Sequence, residues 1–108
     1  AGSGTAIHFV REYYDPGWTA TEDYPRETLG VRETRHDGYH DDIWVTAMMM
    51  VTDPAQVRFD ERVDAGLASI NGVALEPLAD TVALGRAMIA FRARFTADAI
   101  RRAIAAHD

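Results

Sequence analysis

Ile43-Trp44-Val45-Thr46-Ala47-Met48-Met49-Met50-Val51 is the longest nearly unbroken apolar run in the chain, and its reading decides the fold. Nine residues is strand-sized, and bounded apolar runs of this length suit a strand covered on both sides. As a strand it shows Ile43, Val45, Ala47, Met49 and Val51 on one face and Trp44, Thr46, Met48 and Met50 on the other. A one-sided antiparallel strand would be polar at every second position, so both faces of this one need cover. Two helices can cover one face. The other calls for a second copy of the chain, a different protein, an apolar ligand, or a folded-back aromatic loop. Methionine on that second face suits core filling as well as an adaptable binding surface.

Upstream of the run, Asp37-Gly38 lies between two extended stretches, and an Asp-Gly pair there favours a type I′ hairpin turn. The spacing predicts one strand over residues 27–36 and the returning strand over 39–51. Residues 5–14 alternate as a further strand, and Asp15-Pro16-Gly17 ends it with turn-forming residues. Downstream, Asp53-Pro54 reads as a helix start, with Asp as N-cap, Pro at the first helical position and Gln56 following. Phe59, Val63, Leu67 and Ile70 give that helix one apolar stripe, and Asn71-Gly72 terminates it.

Residues 73–86 read as irregular around Pro77. Residues 88–95 fit two periods. As a strand, Ile89, Phe91, Ala93 and Phe95 alternate with Arg92 and Arg94; as a helix, Leu84, Met88, Phe91 and Phe95 align, but Ile89 falls on the wrong side. The strand is preferred, because Thr96 then caps a last helix over 97–107 carrying Ile100 and Ile104 on one face. The expected fold is α+β, with about four largely antiparallel strands and two helices packed on one face of the sheet. Residues 1–4, Ala-Gly-Ser-Gly, read as a cloning remnant or flexible N-terminus, and residues 5–108 as a single domain.

Chemistry-bearing residues concentrate at the hairpin tip, where Arg35-His36-Asp37-Gly38-Tyr39-His40-Asp41-Asp42 holds two His and three Asp. Imidazole and carboxylate are the ligands of several transition metals. A two-residue turn, however, places His36 and His40 on opposite faces of the ribbon, so no metal site is expected. On the returning strand His40, Asp42 and Trp44 share a face with Met48 and Met50. A carboxylate beside an imidazole can orient it for acid–base work. His40 is the candidate base, Asp42 its orienter, and Tyr39 or His8 the proton donor. The loop from Tyr13 and Tyr14 through Trp18 to Tyr24 sets aromatic anchors among Asp15, Glu22, Asp23 and Glu27. Those anchors form a docking surface or pin the loop onto the sheet. Trp44, Met48, Met50, Trp18, Tyr14 and Tyr24 are therefore the candidate binding residues.

Composition narrows the function classes. All 11 basic residues are arginine, set against 17 acids, for a net charge of −6. A nucleic-acid binder needs a basic face to displace counterions, and an anionic membrane attracts one too, so neither partner is expected. The chain has no cysteine, which removes disulfides, thiolate nucleophiles and thiolate metal sites. It also lacks a phosphate-cradling glycine loop, a Gly-x-Ser-x-Gly elbow and a dinucleotide fingerprint. No cofactor is implied. The first residues carry no basic-then-apolar leader, which makes the cytoplasm the expectation. The functional expectation is a small acidic, non-catalytic binding or accessory module that associates with itself or another protein through an apolar, Met-rich sheet face. The alternative is a cofactor-independent isomerase, cyclase or hydrolase using the His40–Asp42 pair beside an apolar pocket.

Overall fold

The run that decides the fold is a helix. The computed structural model describes residues 4–34 and 42–107, and its order of main elements is α1 (Gly17–Glu27), α2 (Ile43–Thr52), α3 (Phe59–Asp64), β1 (Ser69–Ile70), β2 (Val73–Ala74) and α4 (Leu78–His107). Single 3-10 turns at Arg11–Tyr13 and Pro54–Val57 precede α1 and α3. The structure is 66% helical with one two-stranded sheet, which overturns the four-stranded α+β expectation and with it the Met-rich sheet face. The predicted hairpin at Asp37-Gly38 falls on residues 35–41, outside the described residues.

α2 buries Ile43, Trp44, Ala47 and Met50, a spacing of one, four and seven that belongs to a helix. Ala and Met are strong helix formers, and the second layer of cover demanded by an all-apolar run comes from other helices rather than a partner sheet. Asp42 stands at the N-cap position, but its side chain makes no cap bond. Instead the Ile43 N–H donates to Glu33 Oε2 at 3.2 Å, so the first orphan donor of α2 is satisfied from the preceding extended segment.

α2 crosses α4 where Ala47 and Gly85 are both buried. A Cβ on Gly85 would sit 2.6 Å from the Ala47 carbonyl carbon and 2.7 Å from Val51 Cγ2, so the crossing is backbone against backbone. Ile43, Met50 and Leu75 form the core cluster beside this crossing, with Val31, Val57, Phe59, Ile70, Val82 and Leu84 packed around it.

The proposed helix after Asp53 begins as expected. The Asp53 carboxylate accepts from the Ala55 N–H at 3.0 Å and Pro54 opens the turn. Arg58 then adopts a left-handed conformation (φ 54°), which divides the segment into a 3-10 turn and the short α3. Asn71-Gly72 does not end a helix. Asn71 (φ 51°) and Gly72 (φ 84°) form the two positive-φ corners joining β1 to β2, the arrangement a type I′ hairpin needs. Residues 5–14 are not a strand but an irregular segment ending in the first 3-10 turn.

α4 is a single helix of 30 residues, so Thr96 lies in its interior rather than at a cap, and residues 88–95 take the helical period. Its Arg92 fastens the N-terminal elements. The guanidinium donates to the Gly17 carbonyl at 3.2 Å and to Thr21 Oγ1 at 2.9 Å, and sits 4.2 Å from the centre of the Tyr13 ring. Tyr24 stacks on Phe91 with ring centroids 4.3 Å apart.

Candidate functional site

A cleft of about 290 Å³ opens between α1, the extended residues 31–34 and the first turn of α2. Its polar lining is Glu22, Arg26, Glu33 and Thr34, and its apolar lining is Pro25, Val31, Ile43 and Trp44. Each side chain arrives for a local reason. Glu22 and Arg26 are one turn apart on α1, so helical spacing sets them side by side. Glu33 is held by the Ile43 N–H and by the Asn71 side-chain amide, with which it makes a short hydrogen bond. Thr34 donates from its backbone N–H to the Asn71 carbonyl at 2.8 Å, anchoring the extended segment to the hairpin.

Two indoles meet at the back of this region. Trp18 and Trp44 lie edge to face, with centroids 5.3 Å apart and planes at 70°. Trp18 Nε1 donates to Glu22 Oε1 at 2.7 Å. Trp44 is only 6% exposed, and its indole N–H is buried without an acceptor among the described residues. Burying such a donor unpaired costs about 1–3 kcal/mol. Arg26 is engaged with its own helix, donating to Asp23 at 2.6 Å and lying 3.6 Å from Glu27, so its charge is answered before it reaches the cleft. The lining therefore presents two carboxylates, one guanidinium and an indole.

Of the residues singled out in the sequence, Trp18 and Trp44 come together here, and Asp42 is buried one residue before α2. Tyr39 and His40, the other half of the proposed acid–base group, lie outside the described residues. His8 sits half-buried in the N-terminal segment. Met50 is fully buried in the core and Met48 half-buried, while Met49 is 45% exposed, so the methionines do not form one binding face. Helical twist points consecutive residues in different directions, whereas the strand reading set Met48 and Met50 together. Tyr14 is 64% exposed beside Tyr13, away from the indole pair's cleft lining, and Tyr24 packs on α4. Among the described residues no three His, Asp or Glu side chains gather in a metal-binding group. Glu33 and Arg26, which complete the cleft, were missed. Their only sequence signal was position, Arg26 just before and Glu33 within the segment 27–36 read as strand.

A second feature lies along α4. Leu78, Ile89 and Ile100 follow each other at intervals of eleven residues, three helical turns, so they fall in one line with Ile104 close by. They are 37%, 40%, 43% and 50% exposed. With a rise of 1.5 Å per residue the line runs about 39 Å. Ile7 and Phe9, just before the 3-10 turn that packs on α4, are 96% and 82% exposed. Among the described residues no helix is long and apolar enough to cross a membrane. A scan against models of protein families matches none, and searches of the curated proteins and of the solved structures likewise find no match.

Proposed function

We propose that this chain is a non-catalytic association module that pairs with a second copy of itself along α4. The carrying observation is the exposed line Leu78–Ile89–Ile100–Ile104. Isolated surface isoleucines are ordinary, whereas large apolar side chains that recur in one line along a helix give it an unpartnered face. The line is symmetric about Ile89, with a large apolar side chain eleven residues to either side. A two-fold axis at Ile89 would run two α4 helices antiparallel and set Leu78 of one copy against Ile100 of the other. Such self-complementary contacts are what closed dimers use.

Charge supports the same arrangement. The far end of α4 carries Arg94, Arg101 and Arg102 against Asp98, whereas Glu76 just before α4 and Asp80 in its first turn, with Arg86 beyond, lie near α3, whose Asp60, Glu61 and Asp64 outnumber its Arg62. Antiparallel pairing brings the basic end of one copy beside the acidic end of the other. That complementarity steers association and fixes its direction more than it strengthens it.

Native mass spectrometry and sedimentation of the intact chain test the reading. The chain is expected to be dimeric at micromolar concentration, and the double variant Ile89→Asp, Ile100→Asp monomeric with an unchanged helical circular-dichroism spectrum. A wild-type chain that stays monomeric, or a dimer that survives both charges, would rule the reading out.

A further inference from the structure

We infer that the hollow beside Leu78 is the seat for the last turns of α4 of a second copy, with Ile104 of that copy inside it and Arg101 on its rim. The inference rests on the antiparallel pairing of α4 and takes up what that pairing leaves over. With the two-fold axis at Ile89, Leu78 meets Ile100, so residues 101–107 of each α4 run past the start of the other by about 10 Å. Ile104 lies in this overhang and is half-exposed, and the position symmetric to it is Ala74, on β2 before α4 begins. Pairing of the two helices alone therefore gives Ile104 no large apolar partner.

The hollow supplies one. Its volume is about 290 Å³, and Leu78 itself, with Phe59, Pro54 and Ala55, forms its apolar part. Leu78 thus belongs both to the exposed line and to the hollow, so the overhang of a second copy reaches the hollow once the line is paired. Charge selects the same occupant. Asp60 and Glu61 stand on the hollow and no arginine lines it; Arg62 of α3 donates instead to the Val57 carbonyl at 2.8 Å. The overhang is basic, with Arg101 and Arg102, and Arg101 is the neighbour of Ile104 three residues on. The ion pair of Arg101 with Asp98 is exposed on both sides, and such pairs are weak enough to yield to a better acceptor.

The chain has no cysteine, so introduced ones report without background. A disulfide needs its two Cα atoms within about 7 Å, whereas Ile104 stands about 39 Å along α4 from Leu78 of its own copy. The double variant Ala55→Cys, Ile104→Cys can therefore be bridged only between copies, and both positions are exposed, so neither change touches the core. In a glutathione redox buffer it is expected to give a covalent dimer with two disulfides, read by mass spectrometry, while each single variant stays unbridged. Ile89→Cys, at the axis, is expected to bridge by itself and reports on the pairing of α4 separately. In the cysteine-free chain, Arg101→Glu is expected to weaken dimerisation about tenfold in sedimentation, and adding Glu61→Arg to restore it. A double variant that stays unbridged while Ile89→Cys bridges means that the hollow takes something else; it overturns the inference and leaves the pairing standing. Equal bridging by Ile104→Cys alone, or a charge swap without rescue, also overturns it. Absence of both bridges overturns the inference and the pairing together.

Discussion

Gly85 carries a constraint that its place inside a helix conceals. In an exposed helix interior, replacing glycine by alanine stabilises by about 1 kcal/mol. Here the new methyl would press on the backbone carbonyl of Ala47, and backbone cannot turn aside as a flexible side chain can. Overpacking of this kind costs about 1–3 kcal/mol, and it outweighs the propensity gain. Gly85→Ala is therefore expected to lower the thermal midpoint by several degrees, whereas the same change at an open helical glycine would raise it. The rest of the crossing was partly legible. Ala47 and Met50 were recognised as buried, because a run apolar on every side has to be covered. Glu33 was not recognised, since a charged residue that caps a helix ten positions away leaves no local pattern. Asp42 shows the opposite failure: an acid directly before an apolar helix has the sequence signature of an N-cap, yet its side chain does not cap.

At the level of elements, the rule for hairpins held at Asn71-Gly72, a pair read as the end of a helix, while Asp37-Gly38 lies outside the described residues. Asx-Gly favours positive φ at both corners, and Asn71-Gly72 meets that geometry between β1 and β2. The strands are two residues each, too short to announce themselves by alternation. Gly72 also faces Thr34, whose Cγ2 would lie 3.0 Å from an added Cβ. Gly72→Ala thus combines unfavourable φ with a clash, and a loss of about 2 kcal/mol is expected from chemical denaturation. Because Thr34 and Asn71 are bonded to each other and Asn71 to Glu33, the same variant should disturb the cleft as well as the hairpin. α2 was misread because nine apolar residues fit a covered strand and a covered helix equally, and periodicity cannot separate them. α4 was misread because of Ile89, which no core-facing helical stripe accommodates. Ile89 is off that stripe and exposed, so the residue that argued against the helix is one that the helix leaves for another surface.

The molecule as a whole is long for its size. Its radius of gyration is 17.2 Å, against about 13 Å for a compact domain of this length. Its extents of 62 × 25 × 21 Å follow from α4, which at 30 residues measures about 45 Å on its own. Small-angle scattering from the monomeric Ile89→Asp, Ile100→Asp variant is expected to return a radius near 17 Å; a value near 13 Å would mean that the end of α4 folds back. None of this elongation was visible in composition or charge, because a helix that leaves its neighbours behind has the same residues as one that stays among them. Ala99 is the last fully buried position on α4, and the side chains described beyond it are half-buried at most.

α4 is also the last element of the chain, and α1, α2 and the 3-10 turn before α1 all pack on it. Protein synthesis runs from the N-terminus, so on the ribosome these three elements emerge before the surface they share exists. Their packing on α4 is therefore a late step of folding, whereas the cluster of Ile43, Met50 and Leu75 is drawn from residues made before it.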